Sequence, residues 1–371
     1  MRKILLIFGT RPEAIKMAPL IKEFKKDQKN FDTKVCVTAQ HREMLDHVLE
    51  FFEIVPDYDL DLMKPDQNLY SLTGAIIEGL KSVLEGFSPD FVFVHGDTTT
   101  TMASSIAAFY SGAKTCHIEA GLRTHNKLSP FPEEINRQIT GRICDYHFAP
   151  TETSESNLLK ENIPSPNIIV TGNTVIDALL GSVKRVEDEP SKLIYEIETQ
   201  IAKKELILVT GHRRENHGEG FKRICMALKE IAEQSTNTVI IYPVHLNPKV
   251  QEPVKKILSG IANILLIDPL SYPDFIWLMN RSKIIITDSG GVQEEAPSLG
   301  KPVLVMRDTT ERPEAVNAGT VLLVGTDQQL IASEALDLLS NDKRYKKMSE
   351  LHNPYGDGKA CERIVEFIRS K

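Results

Sequence analysis

Residues 284–315 read IIITDSGGVQEEAPSLGKPVLVMRDTTERPEA, and the fold can be argued outward from them. Ile284, Ile285 and Ile286 form a β-branched run, Asp288-Ser289-Gly290-Gly291 interrupts it, residues 292–299 can wind as a helix, and 303–306 form the next strand. Strand, glycine turn and helix start follow one another in that order. With no side chain at Gly290 or Gly291 to block approach, the open N–H groups of such a helix start suit a phosphate. Glu294 and Glu295 then admit two readings: simple complements to the helix dipole, or carboxylates that bind ribose hydroxyls. Phosphate loops and plain tight turns share this grammar, so spacing alone does not choose between them.

The same alternation runs through the rest of the chain. Strand-like runs at 5–8, 34–38, 91–95, 115–119, 146–149 and 168–171 form one set, and runs at 206–210, 239–243, 264–267, 284–287, 303–306 and 320–324 form a second. Helical patterns separate them, which predicts an α/β fold with parallel sheets covered on both faces. Residues 178–204 are charged and mostly helical, and the domain junction is expected there or just before. LLIFGTRPEA from Leu5 and LILVTGHRREN from Leu206 echo each other as apolar strand, Gly-x-Arg-x-Glu and helix, so two doubly wound domains in tandem are expected. In such sheets ligands bind beyond the carboxyl ends of the strands.

Composition narrows the class. A chain of 371 residues with 41% hydrophobic and 26% charged content can build two full cores of an ordinary globular protein. The net charge of -7 argues against a nucleic-acid binder, which needs a concentrated basic face, but leaves room for a small anion held by a few arginines. The apolar run after Met1-Arg2-Lys3 ends at Gly9, too early for a signal peptide, and no stretch reaches membrane-spanning length. A cytoplasmic protein is therefore expected. Five scattered cysteines without C-x-x-C spacing read as reduced core residues.

Residues that directly follow the strands are rich in charge. No G-x-G-x-x-G and no Walker lysine loop is present, which argues against dinucleotide and ATPase chemistry. Arg11, beside Pro12 at a helix start, either bonds a nearby carboxylate or grips diphosphate oxygens bidentately, and the second reading is favoured. Asp97 can cap the helix after Gly96, although four successive threonines, poor helix formers, suggest hydroxyls kept for another purpose. Glu119 ends another strand, while Glu133 and Arg137, four apart on a helix, suit an ordinary surface pair. Together Asp97, Glu119 and Glu133 could instead supply the acid and base that proton transfer to and from carbon requires. His212, beside Arg213 and Arg214, is either a structural donor or a stabiliser of a departing phosphate oxygen, and Arg312 could reach the same ligand. No H-E-x-x-H or comparable spacing occurs, so no metal is expected.

FGTRPEAIKMAP, TAQHREMLD, HGDTTTT, IEAGLRT, PEEINR, TGNTVIDAL, TGHRRE, PVHLNP, the 284–315 stretch and NPYGDG together resemble the non-hydrolysing UDP-N-acetylglucosamine 2-epimerases over essentially the whole chain. The resemblance implies two Rossmann-like domains of the GT-B type with the active site in the cleft: 1–175 carrying the catalytic carboxylates, 176–354 binding UDP, and 355–371 returning as a helix to the first domain. It implies interconversion of UDP-N-acetylglucosamine and UDP-N-acetylmannosamine without cofactor or metal, by elimination of UDP to a 2-acetamidoglucal and re-addition. The protein would be a homodimer serving cell-envelope polysaccharide synthesis, with no membrane or nucleic-acid partner.

By the same resemblance, Asp97, Glu119 and Glu133 match acid and base carboxylates, and His212 matches the histidine that stabilises UDP. Arg11, Lys16, Ser289, Gly290, Gly291, Glu295 and Arg312 match nucleotide or diphosphate contacts, Arg137 an active-site arginine, and Phe275 a position near the uracil. Gln40 and His41 match part of an allosteric site that takes a second UDP-N-acetylglucosamine in some bacterial members. Glu43 stands where that site has a glutamine and Asp66 where it has an arginine, which departs from the pattern. The alternatives are a hydrolysing relative that releases UDP and N-acetylmannosamine, and a sugar-nucleotide binding protein without turnover.

Overall fold

The computed structural model describes residues 1–38, 42–63, 67–310 and 312–371, which divide into two compact units, Met1–Ala178 with Gly356–Lys371 and Leu179–Tyr355. The sequence boundary between them falls inside the helix Thr174–Asp188.

Among the described residues the first unit contains β1 (Arg2–Phe8), β2 (Phe31–Val37), β3 (Tyr58–Asp59), β4 (Phe91–His95), β5 (Lys114–Ile118), β6 (Tyr146–Ala149) and β7 (Ile168–Val170). They pair in parallel in the order β3-β2-β1-β4-β5-β6-β7. The second unit contains β8 (Glu205–Thr210), β9 (Thr238–Pro243), β10 (Ile264–Ile267), β11 (Ile284–Thr287), β12 (Val303–Val305) and β13 (Val321–Leu323), parallel in the order β10-β9-β8-β11-β12-β13. Every strand expected from the sequence is present to within a few residues. Tyr58–Asp59 was not anticipated, because two residues are too few to show an alternation.

Both units have a doubly wound order, reversing between β1 and β4 in one and between β8 and β11 in the other. That reversal opens a crevice beyond the strand ends where a ligand can reach backbone N–H groups. The strands read as apolar runs because both faces are covered: Ile4 to Phe8 are each fully buried. Leu5 and Ile7 pack with Leu72, Ile76, Leu80, Ala103 and Ala107 of the helices Leu69–Phe87 and Thr99–Ser111. Phe24, from the helix Arg11–Lys26, meets Phe31 and Phe93 edge-on at 5.1 and 5.2 Å. In the second unit Ile207 and Val209 share a core with Phe221, Ile224, Leu228 and Ile331.

The closing helix Ala360–Arg369 belongs to the first unit. Asp177 accepts the N–H groups of Ala360 and Cys361 at 3.2 and 2.9 Å, taking the place of a side-chain cap at the helix start. Ile364, Val365 and Ile368 are buried, each burial worth roughly 1.5–3 kcal/mol, and Phe367 lies edge-on to Tyr146 and Phe148.

Candidate active site

At the end of β1, Thr10 caps the helix Arg11–Lys26 in a capping box with Glu13. Glu13 is buried, accepting the N–H groups of Gly9 and Thr10 on Oε2 at 3.0 and 2.8 Å and the hydroxyls of Thr98 and Thr101 on Oε1 at 2.6 and 3.1 Å. A Cβ on Gly9 would stand 2.1 Å from Thr38 Oγ1, so only glycine fits there. Thr98, not Asp97, caps the helix Thr99–Ser111, and the threonine hydroxyls are used inside the unit, by Glu13 and by the Thr38–Thr100 contact at 3.1 Å. Arg11 makes no ion pair with a carboxylate among the described residues, so the structural alternative for it finds no partner there.

Relieved of capping, Asp97 pairs with Arg137. Arg137 directs Nε and Nη2 to Asp97 Oδ2 at 2.9 and 2.7 Å, and Nη1 to Glu134 Oε2 at 3.1 Å. The surface pair with Glu133 expected from i,i+4 spacing is absent, and Arg137 is buried. Glu133 makes no hydrogen bond or ion pair among the described residues, although its Oε2 is buried. Glu134, fully buried, also accepts the N–H groups of Thr124 and His125 at 3.0 and 3.1 Å and so holds the loop after β5 to the helix Glu133–Ile143.

Glu119, one residue past β5, adopts φ 62°, a left-handed conformation unusual for a glutamate. Its carboxylate forms an ion pair with Lys16, accepts Asn173 Nδ2 at 3.1 Å, and faces His95 Nε2 at 3.6 Å. Burial pushes His95 down to about 4 even with Glu119 beside it, so the ring is neutral at physiological pH. Glu119 thus lies with a cation on one side and a neutral imidazole on the other.

In the second unit, His212 follows β8 and Asp288 follows β11, its neighbour across the strand-order reversal. Asp288 is fully buried and accepts the N–H groups of His212 and Arg213 on Oδ2 at 2.8 Å each. The His212 ring stacks on His245 at 5.5 Å. Burial pushes His212 down, Asp288 pulls it up, and His245 and Arg213 lower it further. Arg213 and Arg214 make no ion pair among the described residues.

Ser289 precedes the helix Gly290–Glu295 without capping it by a side-chain hydrogen bond. A Cβ on Gly290 would lie 3.3 Å from Arg312 Cζ, so the sequence-predicted arginine rests directly on the glycine turn. Glu294 is neither a cap nor in the helix's first turn. It is buried and pairs with Arg312 Nε at 2.7 Å. Glu295 Oε1 would meet a Cβ on Gly291 at 3.3 Å. Phe275, on the helix Tyr272–Arg281, is half-buried.

Gln40, His41 and Asp66 lie outside the described residues, as does the side chain of Glu43. Sequence reasoning missed Glu13, Glu134, Asn173, His95 and Asp288 as members of the site. Two had a legible signal: T-R-P-E at Thr10 is a capping-box pattern, and Asp288 is an acidic residue at a strand end. All five cysteines are free and buried. Among the described residues no helix is long and apolar enough to cross a membrane, and no group of three or more His, Cys, Asp or Glu side chains could hold a metal ion.

The family model described as UDP-N-acetylglucosamine 2-epimerase matches residues 22–369. The chain is 58% identical over 371 residues to the UDP-N-acetylglucosamine 2-epimerase of Salmonella typhimurium strain LT2, covering 99% of this chain and 98% of that protein. It is likewise 58% identical over 372 residues to the Escherichia coli K12 protein of the same name, with the same coverages. Among solved structures, it is similar to UDP-GlcNAc 2-epimerase from Neisseria meningitidis bound to UDP-GlcNAc, at TM-score 0.88, 53% identity and full coverage of both chains. It is also similar to the Methanocaldococcus jannaschii UDP-GlcNAc 2-epimerase in complex with UDP-GlcNAc and UDP, at TM-score 0.79, 34% identity and full coverage of both.

Proposed function

The chain belongs to the UDP-N-acetylglucosamine 2-epimerase family, and from that premise we propose that it inverts carbon 2 of UDP-N-acetylglucosamine to give UDP-N-acetylmannosamine without releasing free sugar. A base removes the carbon 2 proton while the bond from carbon 1 to the diphosphate oxygen breaks. The electron pair leaves with UDP, and a 2-acetamidoglucal remains. UDP then re-adds at carbon 1 as a proton reaches carbon 2 from the opposite face. No electrons are exchanged with another molecule, so the reading requires no redox cofactor.

The observation that carries this reading is the contrast among the three carboxylates of the first unit. Asp97 is clamped by Arg137, Glu119 is paired with Lys16 beside a neutral His95, and Glu133 has a buried oxygen with no partner among the described residues. Carboxylates in unlike settings can hold and release protons at different stages of one reaction. The hydrogen at carbon 2 is not beside a carbonyl, so the barrier must fall mainly by stabilising the departing diphosphate. We assign that task, in the second unit, to His212, Arg312 and the Ser289-Gly290-Gly291 turn, with Glu295 on the ribose and Phe275 near the uracil, and keep Arg11 and Lys16 of the first unit as anion-binding cations.

In deuterated water the reading requires deuterium at carbon 2 of a product that still bears UDP. N-acetylmannosamine and UDP accumulating as the main products would establish the hydrolysing reaction instead. Glu119→Gln is expected to lose carbon 2 exchange, and exchange at the unmutated rate would remove Glu119 from the acid and base set.

The proposal extends to a cytoplasmic homodimer. Free buried cysteines accord with a reducing compartment. Tyr110, mostly exposed, lines a groove with Ile77, Leu84 and Ala107, and the exposed Phe109 ring lies 6.3 Å from its own, an apolar patch that a second copy could cover. Sedimentation at micromolar concentration is expected to show a dimer, and a monomer would overturn that part.

A further inference from the structure

Asp288 has an oxygen to spare. Its Oδ2 accepts the N–H groups of His212 and Arg213, with Asn216 Nδ2 at 3.5 Å, but its fully buried Oδ1 accepts no hydrogen bond among the described residues. His212 Nδ1 lies 3.4 Å from Oδ1. A buried carboxylate oxygen left without a donor is costly, so the pair favours a hydrogen on Nδ1.

That arrangement has a consequence at the other ring nitrogen. With its one hydrogen on Nδ1, a neutral His212 presents a lone pair at Nε2, which repels a phosphate oxygen. It can donate from Nε2 only after gaining a proton. The groups around the ring are Asp288 after β11, His245 after β9 and Arg213 in its own segment. Burial first, then His245 and Arg213, oppose protonation in the free protein, and an arriving diphosphate supplies negative charge that favours it.

We propose that Asp288 is a positioning residue that makes His212 take up a proton from solvent when a diphosphate binds, so that His212 meets the ligand as an imidazolium donating from both nitrogens. This rests on the reading above that His212 contacts the diphosphate. The complex then carries one proton more than its free components, and the charge set against the leaving group is assembled only when that group is present.

Calorimetric titration of UDP at pH 7 in buffers of different ionisation enthalpy counts the protons taken up. Comparison with Asp288→Asn cancels the ionisation of UDP itself. The amide can keep accepting from His212 and Arg213 while turning an N–H toward Nδ1, which favours the neutral ring with its hydrogen on Nε2. The unmutated protein is expected to take up more protons than Asp288→Asn, by a difference approaching one. Its UDP affinity should fall up to about tenfold per pH unit more steeply between pH 7 and 8.5, and at pH 6.5 Asp288→Asn should bind UDP roughly ten- to a hundredfold more weakly.

Equal proton counts and parallel pH profiles would overturn the role of Asp288. His212→Gln separates the two layers. If it keeps the unmutated proton count, His212 does not meet the diphosphate. If it loses that count while Asp288→Asn keeps it, the contact stands and the Asp288 inference falls. Nitrogen-15 spectra of histidine-labelled unmutated protein give a test independent of how the variants fold: the His212 ring is expected to become imidazolium on UDP addition, and a neutral ring in the complex would overturn the proposal.

Discussion

The guanidinium of Arg137 reaches Asp97, Nη2 to Oδ2 at 2.7 Å, across 40 positions of sequence, while Glu133, four residues before it on the same helix, does not pair with it. The arginine therefore orders one carboxylate of the proposed acid and base set and leaves another untouched. Its second arm on the buried Glu134 fixes the direction from which it does so.

Arg137→Lys keeps the charge and loses the planar fork that serves both carboxylates. Epimerisation followed by NMR from UDP-N-acetylglucosamine is expected to show kcat lowered roughly ten- to a hundredfold, with KM less affected. An unchanged kcat would mean that the Asp97 clamp has no part in the reaction.

Glu13 stabilises the turn after β1 without being assigned to the chemistry. Glu13→Ala strands the N–H groups of Gly9 and Thr10 in a buried place and takes one acceptor from the hydroxyls of Thr98 and Thr101, which still meet each other and the His95 carbonyl, and should destabilise the protein by about 3 kcal/mol in urea unfolding. Glu13→Gln, which keeps an acceptor, should lose less.

Gly290→Ala places a methyl group against the Arg312 guanidinium at a backbone position that alanine can adopt. UDP affinity measured by calorimetry should fall about tenfold as the arginine shifts, while thermal stability changes little. Loss of folding in place of loss of affinity would show that the turn has no slack.

Acid should destabilise the first unit through three buried histidines. Burial pushes His95 to about 4, His117 to about 3 and His147 to about 4, whereas each titrates near 6.5 when unfolded. Between those limits the unfolded chain binds more protons than the folded one. Their stabilisation is therefore complete above about pH 6.5 and is lost as pH falls from there toward 4. At pH 5 the loss should reach roughly 2 kcal/mol per histidine, measured as a lower urea midpoint than at pH 7.5. His117→Asn should flatten that dependence by about a third, and a pH-independent midpoint would show that folding does not depress the pKa of these rings.

The architecture was legible in the chain because its determinants are local. Apolar runs of strand length, glycine breaks and helical spacing act over a few residues, and they placed the strands at 284–287, 303–306 and elsewhere within a few positions. Residues directly after strands were recognised as a group because parallel sheets direct their ligands there. The unforeseen strand Tyr58–Asp59 was too short to carry a period.

Partner choice was not legible. Lys16 pairs with Glu119 at a separation of 103 residues, and His212 and Asp288 meet only because β8 and β11 lie side by side. Glu133 and Arg137 have the spacing of a salt bridge and do not form one. Spacing along a helix fixes which side chains can meet, but burial and long-range packing decide which encounter lowers the free energy most. The amino-acid order by itself thus determined two doubly wound sheets and the segments at their carboxyl edges, while only the tertiary structure decided which charges are paired, which oxygen of Asp288 is left facing a ring, and which histidines are kept neutral. Those outcomes depend on solvent exclusion, which exists only once distant segments have closed over one another.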